Sequence, residues 1–243
     1  MLLRVASYNL HECRGTDGAH SPARILEVLR QINADLLLLQ EIRNSRCADG
    51  NGNVVDWFAR ELRMHAVLGG TLMREDAEYG NACLSRQTPS DWRRHDLSVP
   101  GREPRGLLEL RFGAGRGTLR VLATHLGLRR HERRRQYQRI AELLHAAPST
   151  TTVLGGDFND LRPPRWFRHA APPGGATTAA RTFPGRWPML PFDRLHVWPG
   201  EALLEASAVT RPPTRVASDH LPVVAQVQVG EARGTAGPGE MSP

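Results

Sequence analysis

Two rhythms of apolar and polar positions run along the whole chain, one of period two or unbroken apolar, the other of period 3.6. Leu3–Asn9 and the run Leu36–Gln40 read as buried strands with a helix between them. Ser21 caps that helix, Pro22 fits its first position, and Ile25, Val28, Leu29 and Ile32 form its buried stripe. A second helix is predicted over Val54–Arg63 and a long one from about His131 to His145. Short strands are predicted near Ala66–Leu68, Asn81–Ser85, Gly106–Arg111, Leu119–His125 and Thr151–Leu154, and again near Arg194–Trp198, Leu203–Ala208 and Val223–Val229. Many strands with helices at two or three places imply two packed sheets covered by helices, and the pattern leaves the topology open. One domain is expected over residues 1–229, followed by a Gly/Pro-rich polar tail, residues 230–243, expected to be disordered.

Composition narrows the class. A chain of 243 residues suffices for one large domain with a real core. "MLLRVASYNL" lacks the apolar stretch of a signal peptide, and no apolar run approaches the roughly 20 residues that span a bilayer. A soluble, cytoplasmic protein is expected. Cys13, Cys47 and Cys83 are odd in number and without CxxC spacing, which argues against a disulfide framework or a cysteine-rich zinc site. The formal charge is +7, and all 32 basic residues are arginine. A basic surface favours anionic partners, although the total absence of lysine also fits coding bias.

The polar residues that end the apolar runs form an ordered set. "ASYNLHE" ends in Asn9, "LLLLQEI" in Gln40-Glu41, and "EYGNACLSR" places Asn81 at the start of a strand. "VLATHLGL" ends in His125, "LGGDFND" gives Asp157 and Asn159, "PFDRLHV" gives Asp193, and "ASDHLPVV" gives Asp219 and His220. Each alone has a plain structural reading: Glu41 as the first solvated residue of a loop, His125 as a hydrogen-bonded core histidine, SDH as a turn. Their joint occurrence carries the case. No HExxH competes with them.

In this order the motifs YN, QE, YGN, TH, GDFN, DR and SDH resemble the endonuclease/exonuclease/phosphatase superfamily, from Asn9 to His220. "THLGL" and "FDRLHV" look like its pancreatic deoxyribonuclease, neutral sphingomyelinase and tyrosyl-DNA phosphodiesterase branches. "YNLHECRG" departs from the pattern, with His11-Glu12-Cys13 where many relatives carry small residues or glycine. The resemblance implies a deoxyribonuclease-like, four-layered α/β sandwich: two packed, mostly antiparallel sheets flanked by helices, with the site at one end. It also implies hydrolysis of phosphate esters with a divalent metal, Mg²⁺ or alternatively Mn²⁺. A hard cation takes oxygen ligands, and Glu41, Asn9 (through its amide oxygen) and Asp219 are the expected set. His220 is the expected general base, since an imidazole suits neutral pH, and by resemblance its carboxylate partner is Asp193. Adjacent Asp219 and His220 reach one site only if the backbone turns there. Asp157 is expected to orient the attacking water or the proton transfer. Asn81, Asn159 and His125 are expected to donate to phosphoryl oxygens, and a protonated His125 would also assist the leaving group.

Outside the motifs the signal thins. Gln136 and Arg133 lie on the face of the third helix marked by Ile140, Leu143 and Leu144, so both are candidates to be drawn toward the substrate; for Arg133, pairing with a surface acid stands beside that reading. Trp166, Phe183 and Trp187, with nearby arginines, suit nucleic-acid stacking, a lipid headgroup rim, or simple loop packing. The expected partner is an anionic phosphate ester, DNA or RNA preferred on charge. Phospholipid headgroups or small phosphate esters come second, and a catalytically dead binding module on the same fold comes last. Oligomeric state is not legible.

Overall fold

In the computed structural model, which describes residues 1–47, 52–114, 117–146 and 151–230, the first half of the chain forms β1 (Leu2–Asn9), α1 (Pro22–Ile32), β2 (Leu36–Arg43), α2 (Val54–Leu62), β3 (His65–Arg74), β4 (Ala77–Ser85), β5 (Asp91–Asp96) and β6 (Gly106–Ala114). The second half forms β7 (Gly117–His125), α3 (Arg130–Ala146), β8 (Thr151–Asp157), α4 (Arg165–Ala170), β9 (Ala176–Thr177), β10 (Asp193–Trp198), β11 (Leu203–Ala208), α5 (Thr214–Ala217) and β12 (Val223–Gln228). They assemble into two six-stranded sheets, ordered β11-β12-β1-β2-β4-β3 and β5-β6-β7-β8-β10-β9. Only β1–β2 and β7–β8 pair in parallel. Parallel neighbours need a crossover, and α1 and α3 supply it. The two sheets therefore repeat one plan, a βαβ unit flanked by antiparallel strands.

Apolar burial sorts into three layers of contact. Val5, Leu36, Leu38, Val121, Val153, Leu195 and Val223 fill the space between the sheets. Tyr8, Leu37 and Leu39 pack outward against Ile25, Leu29 and Phe58 of α1 and α2. Leu122, Leu154 and Phe158 pack outward against Tyr137, Ile140 and Phe167 of α3 and α4. Helix, sheet, sheet, helix gives the four layers expected. Ser21 caps α1 as expected, its Oγ accepting from the Arg24 N–H at 3.3 Å.

The pattern missed β5 and β9 and the short helices α4 and α5. β5, "DWRRHD", is an edge strand held by β6 alone, with mostly exposed side chains and no apolar face to read. In contrast, β8 outruns its expected end, because Gly155 and Gly156 continue the strand to Asp157. Of the tail expected to be disordered, all but Gly230 lies outside the described residues.

Candidate active site

Side chains two apart on a strand share a face. Val5 faces the other sheet, so Asn9, four residues on, does too; the same parity carries Val121 to His125, Val153 to Asp157 and Leu195 to Asp193. His125, Asp157 and Asp193 are also in register across β7, β8 and β10. The strand period alone thus lines up three polar side chains at one end of the intersheet space, opposite Asn9.

Glu41 breaks this parity. It shares the outward parity of Leu37 and Leu39, yet Asn9 Nδ2 donates to its Oε1 at 2.9 Å. A bulge accounts for it. Leu39 pairs with Ala82 and Ile42 with Gly80, leaving Gln40 and Glu41 against Asn81, and Glu41 takes φ 52°. This left-handed residue re-aims the carboxylate into the gap, as strained backbone at functional sites commonly does. Asn81 is mid-strand rather than at a strand start, buried, and donates to the Gly106 carbonyl at 3.2 Å.

Asp157 is the hub. Its Oδ2 accepts from Asn9 Nδ2 at 3.0 Å and lies 3.6 Å from Nε2 of both His125 and His220, while Oδ1 accepts from the Asn159 N–H at 2.8 Å. That last bond closes a tight turn in which Asn159 has φ 48°, so Asp157 and Asn159 are not the extended pair that β8 would predict. Phe158 anchors the turn outward, fully buried. Asp160 belongs to the turn, gripped by Arg133 through its carboxylate at 3.4 Å and by Arg194 through its carbonyl.

His220 Nδ1 lies 2.7 Å from Asp193 Oδ2. The backbone bends at Asp219-His220 before β12 begins, which meets the condition for both side chains to serve one site. Ser218 holds the bend: its Oγ donates to the Asn9 carbonyl at 2.8 Å and accepts from the His220 N–H at 3.2 Å. Burial opposes charge on His220, but Asp193, then Asp157 and Asp219, outweigh it and push its pKa up to about 10. Asp219 is half-exposed, 3.7 Å from His11 Nδ1. His11, Glu12 and Cys13, the departure from the family pattern, adopt φ of 47°, 51° and 60°, a left-handed turn that glycine would enter freely.

His125 goes the other way. Burial and the Arg105 guanidinium, whose Nη1 lies 3.0 Å from His125 Nδ1, push its pKa down to about 3. Burial and Arg105 thus work against the protonated His125 expected to assist the leaving group and favour the neutral ring. Arginine can only donate, so Nδ1 accepts and Nε2 carries the proton. Asn159 Nδ2, which donates to the Leu126 carbonyl at 2.8 Å, stands 3.1 Å from that Nε2.

Gln136 is not drawn into the cluster, and Arg133 follows the other of its two readings, pairing with the Asp160 carboxylate at 3.4 Å. Gln136 Oε1 accepts from the Gly127 N–H at 2.9 Å and its Nε2 donates to the Leu97 carbonyl at 3.3 Å. Arg133 Nη1 donates to the Gly127 and Leu128 carbonyls. Through these backbone groups both side chains brace the loop after β7 and stay out of the cluster. Sequence reading missed Arg105 and Ser218. Ser218 stands inside the SDH motif; nothing marks Arg105 in a chain so rich in arginine.

Among the described residues no helix is long and apolar enough to cross a membrane. Known structures share the fold: an endonuclease/exonuclease/phosphatase from Bacteroides vulgatus superposes with TM-score 0.75 at 15% identity, covering 95% of this chain and 100% of that one. A D. rerio TDP2 complexed with single strand DNA product gives 0.72 at 15% identity, covering 93% and 99%. The uncharacterized protein YbhP of Escherichia coli K12 is 30% identical over 230 residues, 84% of this chain and 87% of its own. The sequence profile of the endonuclease/exonuclease/phosphatase family matches residues 6–220, from β1 to the SDH motif, and the chain belongs to that family.

Proposed function

We propose that this protein hydrolyses phosphate diesters with the help of a divalent cation, with nucleic acid as the preferred substrate. The observation that carries this reading is the convergence of two buried histidines, His125 and His220, with the Glu41, Asp157 and Asp193 carboxylates at one end of the intersheet space. Asn159 Nδ2, 3.1 Å from His125 Nε2, would exchange that contact for a phosphoryl oxygen, to which it can donate. Asn81, already bonded to Gly106, is a further donor at the cluster's edge.

The acidic side fits a cation. Burial, then Asp157 and Asp219, push the Glu41 carboxyl up, which is the state of crowded carboxylates short of positive charge. Glu41, Asp219 and Asn9 would hold Mg²⁺ or Mn²⁺, which would supply charge to the phosphoryl oxygens. Asn9 Oδ1 now accepts from the His11 N–H at 3.0 Å and its Nδ2 faces the carboxylates, so its share in such a set calls for its second oxygen lone pair or a turned amide. Asp157, Asp193 and His220 are a second buried group with ligand atoms within 4.8 Å of one another. Their bonding suits proton handling better. Asp193 fixes the His220 ring through Nδ1 and leaves Nε2 facing Asp157; a cation on Glu41 and Asp219 would repel the charge on this ring and lower its pKa, so that Nε2 would take the proton of an attacking water.

A second reading, phospholipid headgroups as substrate, is favoured by exposed Leu128 and Leu161, which follow His125 and Asn159 along the chain, and by Trp187 and Met189 on the loop that Gly185 ties to Asp219. Purified protein with Mg²⁺ or Mn²⁺, with and without EDTA, is to be assayed on plasmid DNA, single-stranded DNA, sphingomyelin and bis-p-nitrophenyl phosphate. Turnover that survives EDTA or His220→Ala sinks the mechanism; sphingomyelin turned over faster than either DNA moves the substrate to lipid.

A further inference from the structure

A cavity of about 1030 Å³ opens between the start of α3 and the loop that leads into α4. It exceeds the usual span of small-ligand pockets, roughly 300–1,000 Å³. Arg129, Arg130 and Arg134 line one wall, Arg162, Arg165 and Trp166 the other. All five arginines are exposed. Arg133, at the base, is paired with Asp160; among the described residues no carboxylate lies within ion-pair distance of the other five. Five uncompensated guanidiniums crowded on one concavity repel one another unless an anion of matching charge lies among them. The base of the cavity adjoins the candidate active site, since Asp160 follows Asn159 and Arg133 grips the loop that follows His125.

We infer that this groove binds the phosphates of a nucleic-acid strand beyond the scissile one, so that the substrate is a polymer threaded past the active site. The inference rests on the proposed diesterase reading and extends it to substrate length. Several cations spaced around a groove suit a chain of phosphodiesters, and Trp166 adds a ring on which a base can stack. A lipid bilayer presents a plane, and guanidiniums on the two facing walls of a concavity do not meet a plane together.

The test is anisotropy of a fluorescein-labelled 12-mer oligothymidine in EDTA, which reads the groove without turnover. Arg130→Ala/Arg134→Ala, both exposed and away from the core, is expected to weaken binding more than about tenfold. It is also expected to shrink the slope of log Kd against log salt by about 1.4, two single-strand phosphate contacts at about 0.7 each. Arg162→Ala/Arg165→Ala is expected to do the same, and Arg130→Lys/Arg134→Lys to keep the slope. With metal, the ratio of kcat/KM for the oligonucleotide to that for bis-p-nitrophenyl phosphate is expected to fall at least tenfold in the alanine variants. An unchanged slope, an unchanged ratio, or a larger loss on phosphatidylglycerol vesicles than on the oligonucleotide overturns the groove. Slope changes without any hydrolysis support the groove and count against the diesterase reading instead.

Discussion

His220 and His125 stand equally far, 3.6 Å, from the same Asp157 oxygen, yet their surroundings drive them to opposite protonation states. The difference lies behind each ring: a carboxylate, Asp193, for His220, and a guanidinium, Arg105, for His125. Removing the charge with Asp193→Asn is expected to bring the His220 pKa down from about 10 toward the ordinary range, followed by NMR titration of the ring protons in EDTA. The same change is expected to cut kcat by about 10⁴, because the ring loses its fixed tautomer. An unmoved titration would show that Asp193 is not what charges the ring. The motifs made His220 and Asp193 legible because a carboxylate and an imidazole are scarce, specific groups. Arg105 was not legible, since its role depends on a loop folding back onto β7 and one arginine among 32 residues carries no mark.

Strand period placed Asn9, His125, Asp157 and Asp193 on the inner faces, and that much of the site follows from the two-residue repeat. What the repeat does not give is every place where the backbone leaves it: the bulge at Glu41 and the turn at Asn159, both at positive φ. Neither has a glycine to announce it, so tertiary pairing, not local composition, sets them. The glycine pair of β8 makes room for close packing of its neighbours. A Cβ at Gly156, φ 152°, would lie 1.8 Å from the Thr124 carbonyl oxygen of β7, and one at Gly155 would meet Leu38 and Leu195 within 2.6 Å. Gly156→Ala is expected to force β7 and β8 apart at a cost on the order of 3 kcal/mol, lowering Tm by about 6–12 °C. Gly113→Ala, whose Cβ meets nothing within 4 Å, serves as the control. Equal melting of the two variants would refute the close approach.

Across the whole molecule the buried histidines set how stability varies with pH. His125 and His196 are held neutral with pKa about 3, against about 6.5 for an unfolded chain, so each lowers stability as pH falls below about 6.5. His220, raised to about 10, contributes fully below about 6.5 and loses that contribution as pH rises toward 10. In EDTA, urea unfolding is expected to show maximal stability near pH 6.5, with an acid side linked to about two protons and an alkaline side to about one. A flat profile between pH 5 and 9 would contradict these assignments. The division of the site between sheets has its own consequence. Glu41, Asn9 and His220 ride on one slab, His125, Asp157 and Asp193 on the other, and Asn9 Nδ2 bridges them at 3.0 Å. Each slab keeps its own ladder of hydrogen bonds, so the seam between them slides at less cost than either tears. A slip of about 1 Å is enough to cost about 10² in rate. On the proposed diesterase reading, activity gauges the seam: in rising urea it is expected to vanish before far-UV dichroism changes, and tightening the seam far from the site would widen the working range.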